Sequence, residues 1–136
     1  MSWLATVRGA YGGDGETFLN DEEVLWWSKG GVLHGESPAR LAFLRRILDE
    51  SPAEGLNPLP NQKYPAAARD GEHYLFFYDL HQPAEMDYEL PETARFHADL
   101  IDPWAMTIQA LSGTHSGKFT LKLPGRPYLA VRFRKA

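Results

Sequence analysis

Phe119-Thr120-Leu121-Lys122-Leu123 and Leu129-Ala130-Val131-Arg132-Phe133-Arg134, joined through Pro124-Gly125-Arg126-Pro127-Tyr128, decide the fold. Phe119, Leu121 and Leu123 alternate with Thr120 and Lys122. Leu129, Val131 and Phe133 alternate with Ala130, Arg132 and Arg134. Alternation with a period of two is the pattern of β-strands with one apolar and one wet face. Proline presets a negative φ and glycine tolerates a positive one, so Pro124-Gly125 reads as a reversal. The expectation is an antiparallel pair closed by that turn.

Upstream the same period recurs. His73-Tyr74-Leu75-Phe76-Phe77-Tyr78-Asp79-Leu80 is apolar at both parities and reads as an interior strand. Met86, Tyr88 and Leu90 alternate with Asp87 and Glu89; Phe96, Ala98 and Leu100 alternate with Arg95, His97 and Asp99. Met106 to Gln109 and Tyr64 to Ala68 add short strands. Pro83, Pro91-Glu92 and Asp102-Pro103 separate them. About six or seven short strands with regular breaks indicate an antiparallel β-sandwich or barrel.

The first part of the chain is different. Trp3, Leu4 and Val7 share one side of a short helix over residues 2–9. Gly9, Gly12, Gly13 and Gly15 then disfavour regular helix and leave either a flexible loop or a backbone shaped to present Asp14 and Glu16. Trp26 and Trp27 are adjacent, so both cannot easily enter one core; one packs under a loop or faces a ligand or partner. Ser37-Pro38 marks the start of a helix over 38–50, with Ser37 as N-cap. Leu41, Leu44 and Leu48, flanked by Phe43 and Ile47, form a broad apolar face that needs a partner surface. The fold class expected is mainly β with an N-terminal helical segment (α+β). It divides into residues 1–51, a proline-rich connector over 52–65 and a sandwich over 66–136.

Composition excludes several functions. The net charge of −4 leaves no basic footprint for nucleic acid. The absence of cysteine rules out disulfides and thiolate metal sites and favours a reducing, cytoplasmic setting, with a secreted bacterial protein left open. No apolar run reaches the roughly 18 residues of a membrane span, and residues 1–8 do not read as a signal peptide. His34, His73, His81, His97 and His115 lack the spacing of paired ligands on one helix or strand, so no metal or other cofactor is expected. No nucleophile–base order or phosphate-binding glycine loop appears. Asp14 and Glu16 form the one close carboxylate pair on a glycine-rich loop, which makes an independent enzyme the weakest function.

Two stretches carry a family resemblance. Ala5 to Tyr11, Gly15-Glu16-Thr17 and Leu25-Trp26-Trp27-Ser28-Lys29-Gly30-Gly31-Val32-Leu33-His34-Gly35-Glu36-Ser37-Pro38 resemble the end of the catalytic barrel of apiosidase-like (β/α)8 glycoside hydrolases. Residues 101–132 resemble the C-terminal β-sandwich module of the same enzymes. The resemblance implies the tail of a longer protein: a barrel-end remnant followed by a sandwich. The paired catalytic carboxylates of such enzymes come from earlier barrel strands, so no catalytic residue is assigned here. Asp14 stands where the resemblance leads one to expect histidine, which reduces Glu16 to a supporting contact.

The function expected is a non-catalytic module that braces a catalytic barrel through the Leu41/Leu44/Leu48 helix and one sheet face. The alternative is a carbohydrate-binding module, with oligosaccharide as a second partner. Glu16, Trp26, Trp27 and Trp104 are the candidate sugar-contact or cleft-lining residues. Trp104, which follows the Asp102-Pro103 turn, reads first as a core residue, because tryptophan is generally buried.

Overall fold

The computed structural model describes residues 2–10, 18–19, 32–33 and 35–136. Helix α1 spans Ser2–Val7 and helix α2 spans Ser37–Asp49. The strands are β1 Phe18–Leu19, β2 Val32–Leu33, β3 Asn57–Pro58, β4 Ala66–Arg69, β5 His73–Phe77, β6 Glu85–Leu90, β7 Phe96–Asp102, β8 Thr107–Ala110, β9 Gly117–Lys122 and β10 Ala130–Lys135. Six of them form an antiparallel sheet in the order β3-β4-β5-β10-β7-β8. β6 and β9 form a second sheet, and β1 pairs with β2. The protein is mostly antiparallel β with helices from its N-terminal part, the expected α+β class.

One pairing expectation is wrong. β9 and β10 exist where alternation places them, but they belong to different sheets. β9 pairs with β6, and β10 lies between β5 and β7. The turn chemistry explains this. Hairpin turns that match strand twist need a positive φ at their first central residue. Pro124 cannot supply one. The segment between the strands instead crosses from one sheet to the other along the chain that follows β5. Leu123 N donates to Ala84 O (2.8 Å), Gly125 N to Pro83 O (3.1 Å) and Tyr128 N to Asp79 O (2.6 Å). The apolar positions of the two strands therefore meet face to face. Leu121, Leu123, Leu129, Val131 and Phe133 share one core with Tyr78, Tyr88, Phe96 and Leu100. Tyr88 meets Phe133 edge-on at 4.8 Å between ring centroids, and the buried hydroxyls of Tyr78 and Tyr88 are hydrogen-bonded.

The second correction concerns the supposed wet face of β10. Ala130 is fully buried and Arg132 is only 2% exposed. A second core lies on that side of the six-stranded sheet. Trp3, Val7, Phe43, Leu44 and Ile47 from the helices pack on Ala67, Leu75, Phe77, Ile101 and Ala130 from the strands. The architecture is three layers: helices, six-stranded sheet, two-stranded sheet. Helix α1 belongs to this core, with the buried Trp3 ring 5.8 Å from that of Phe77 between centroids.

Helix α2 begins one residue earlier than expected. Glu36, not Ser37, takes the cap position, without a side-chain cap bond, and Pro38 lies in the first turn. Its buried stripe is Phe43, Leu44 and Ile47, while Leu41 and Leu48 are half-buried at its margins. Leu44 and Leu48 of the Leu41/Leu44/Leu48 face thus pack on this chain's own sheet. The outer side carries the i, i+4 pairs Arg45–Asp49 and Arg46–Glu50. Ser51 Oγ donates to Ile47 O (3.1 Å), and Pro52 ends the helix. Within the connector, β3 pairs with β4.

Candidate functional site

The register places the ends of three strands together. Ala130, at the start of β10, lies opposite Phe77 at the end of β5 and Ile101 near the end of β7. Among the described residues, the exposed large apolar side chains are Leu80, Trp104, Met106 and Tyr128. All four lie in the loops at this end. A cleft of about 940 Å³ opens here between those loops and the first turns of α2.

Asp102 organises the cleft. It is 8% exposed and closes β7. Its Oδ1 accepts from Trp104 N and Ala105 N, both at 2.9 Å, the side-chain mimic of a turn that aspartate makes readily. Its Oδ2 pairs with Arg126 Nη2 at 2.9 Å. Trp104 is thereby held at the rim with 66% of its surface exposed. The guanidinium of Arg40, from α2, covers one ring face at 3.8 Å from the centroid. Arg40 also bonds Glu36 at 2.6 Å, and its buried Nε has no partner among the described residues.

Backbone strain concentrates nearby. Asp79 (φ 49°), Met106 (φ 56°) and Tyr128 (φ 62°) adopt left-handed conformations that cost non-glycine residues about 1 kcal/mol or more each. Such positions persist only where surrounding contacts hold them.

Of the sequence candidates, Trp104 is in this cleft and is exposed rather than core. Glu16, Trp26 and Trp27 lie outside the described residues, as does the Asp14 loop. Arg40, Asp79, Asp102 and Arg126 were missed. Asp102 alone carried a signal, as the aspartate of an Asp-Pro break directly before a tryptophan.

The opposite end of the helix–sheet interface is polar. Arg132 Nη2 and Nε lie 2.9 Å from Asp99 Oδ2, and Arg132 Nη1 reaches Glu50 Oε2 at 2.6 Å. Arg134 Nε adds a 2.9 Å bond to Asp99 Oδ2. The hydrogen bond from Arg132 holds the Glu50 carboxyl below the usual range. Burial, helped by the charges of Arg132 and Arg134 and opposed by Asp99 and Glu50, pushes His73 down to about 4. This cluster ties the end of α2 to β7 and β10. It predicts a pH response. The folded chain refuses a proton that the unfolded chain takes up on His73. Its contribution to stability is full above about pH 6.5 and falls as pH drops towards 4. Urea midpoints across that window should decline for the wild type and decline less for His73→Gln.

A second groove, of about 920 Å³, runs between the sheets past Phe76, Tyr88 and Phe119. Its rings stack edge-on or tilted against one another and Phe133, so they serve the core.

A family model described as Domain of unknown function (DUF5605) matches residues 62–134. No curated protein matches the chain. A solved structure, described as a putative glycoside hydrolase from Bacteroides vulgatus ATCC 8482, shares the fold with a TM-score of 0.78 at 24% identity. The match covers 96% of this chain and 30% of that one. It therefore takes in the helical layer as well as the sandwich, and this chain spans under a third of that relative's length.

Proposed function

The chain belongs to the DUF5605 family, and we propose that it is a non-catalytic accessory module of a glycoside hydrolase, bracing a catalytic barrel of the apiosidase-like kind. The observation that carries the reading is the continuous core between the helices and the six-stranded sheet. On this reading residues 1–51 are the end of the barrel, 52–65 the connector and 66–136 the sandwich. The helix-covered sheet face is then the brace itself. An apolar contact of a few hundred Å² at about 25 cal/mol per Å² contributes several kcal/mol, the scale of a permanent interface. The shared fold across both layers with a protein described as a putative glycoside hydrolase supports this reading.

The alternative, a carbohydrate-binding module, draws on the exposure of Trp104 beside Asp102 and Arg126. It needs no barrel contact and is compatible with a bracing role.

A non-catalytic module makes a direct prediction. Incubated with neutral plant and bacterial oligosaccharides, the chain by itself releases no reducing sugar. Release that survives purification to homogeneity would make it an enzyme and overturn the assignment.

A further inference from the structure

We propose that the cleft at the end of the sandwich is a subsite for a neutral oligosaccharide, with one pyranose ring stacked on the open face of Trp104. The cleft is built for a flat, hydroxyl-rich ligand. Arg40 covers one face of the indole, so an exposure of 66% leaves the opposite face and edge open. The two hydrogen bonds from Asp102 Oδ1 fix the turn that carries Trp104, so the platform is preorganised. Arg126, 54% exposed, and Asp79, half-buried, offer a donor and an acceptor beside it. A mostly apolar cleft with aromatic side chains and a few convergent polar groups is the usual form of a small-ligand site.

Charge selects the class. Arg40 and Arg126 face Asp79 and Asp102, and each arginine has a carboxylate partner in Glu36 or Asp102. Among the described residues no cation lining the cleft is left unpaired to favour an acidic sugar, so the site suits an uncharged one. Tyr128 and Asp79 are locked to each other through the Tyr128 N to Asp79 O bond, which keeps the cleft from collapsing.

The placement rests on the accessory-module reading. The cleft is lined by Ser37, Arg40 and Leu41 from the first turns of α2. If α2 is the last barrel helix, its N-terminal end lies at the face where the strands end and substrates bind. The cleft would then extend the substrate-binding surface of the barrel, while the Glu50–Arg132 cluster lies at the far end.

The test is a titration of the full chain with cellohexaose, xylohexaose and mannohexaose, followed by backbone-amide and indole NMR signals. An oligogalacturonate serves as the charged comparison. Expected are saturable shifts of the Trp104 indole and of amides in 102–105 and 126–128 with at least one neutral hexasaccharide. Trp104→Ala should weaken binding about tenfold or more, Trp104→Phe much less, and neither should alter the melting temperature. The proposal is overturned by the absence of saturable shifts at millimolar sugar, by binding that survives Trp104→Ala, or by tighter binding of the oligogalacturonate. Failure on these counts with α2 amides still protected sinks the subsite and leaves the brace standing. Reducing-sugar release or unprotected helices would count against the brace instead.

Discussion

Arg132→Ala should destabilise the protein by about 3–5 kcal/mol, because it strands a buried carboxylate. Arg132 and Asp99 have side chains 2% exposed, and Arg132 is the residue that bridges Asp99 to Glu50 on the helix. Burying a pair of charges is expensive, and the attraction between them offsets that cost only while both are present. Arg134 stays on Asp99 in the variant and softens the loss towards the lower figure. Its own removal should cost roughly 1 kcal/mol or less, since it is 46% exposed and solvent screens it. Urea unfolding of the two variants checks the contrast. Equal, small losses would mean that the cluster does not fasten α2 to the sheet.

Ile47→Ala should cost about 2–5 kcal/mol, the range for emptying a fully buried aliphatic site that cannot collapse. Ile47 is fully buried in the helix–sheet core. Leu41→Ala, on the half-buried margin of the same helix, should cost roughly 1 kcal/mol or less. The distinctive expectation is that Ile47→Ala lowers a single transition without splitting it. If the helices were an appendage, the truncation would loosen them and leave the sandwich midpoint where it was.

The strands were legible because alternation reports which side chains share a face. The helix was legible from Ser37-Pro38 and its apolar stripe. Pairing was not, because Phe119–Leu123 and Leu129–Phe133 show the same alternation whether they lie side by side or face each other across a core. The proline at the first turn position was the available clue. Arginine is usually exposed, so alternation alone places Arg132 on a wet face. Leu75, Phe77 and Ile101, apolar at the parity that also carries His73 and Asp99, were the sign that a second layer covers that face. Its burial depends on Asp99 and Glu50, far off in sequence, and no local pattern shows such a partnership. Trp104 illustrates the reverse. Its residue type favours burial, yet the anchoring of its turn by Asp102 holds it at the rim.

Native-state amide exchange under increasing denaturant tests the proposed bracing interface most directly. It should show the amides of Phe43 to Leu48 opening with nearly the same free energy and denaturant dependence as those of Leu75, Ile101 and Val131, as one cooperative unit. Helix amides that exchange through a far cheaper opening, while the sheet stays protected, would contradict it.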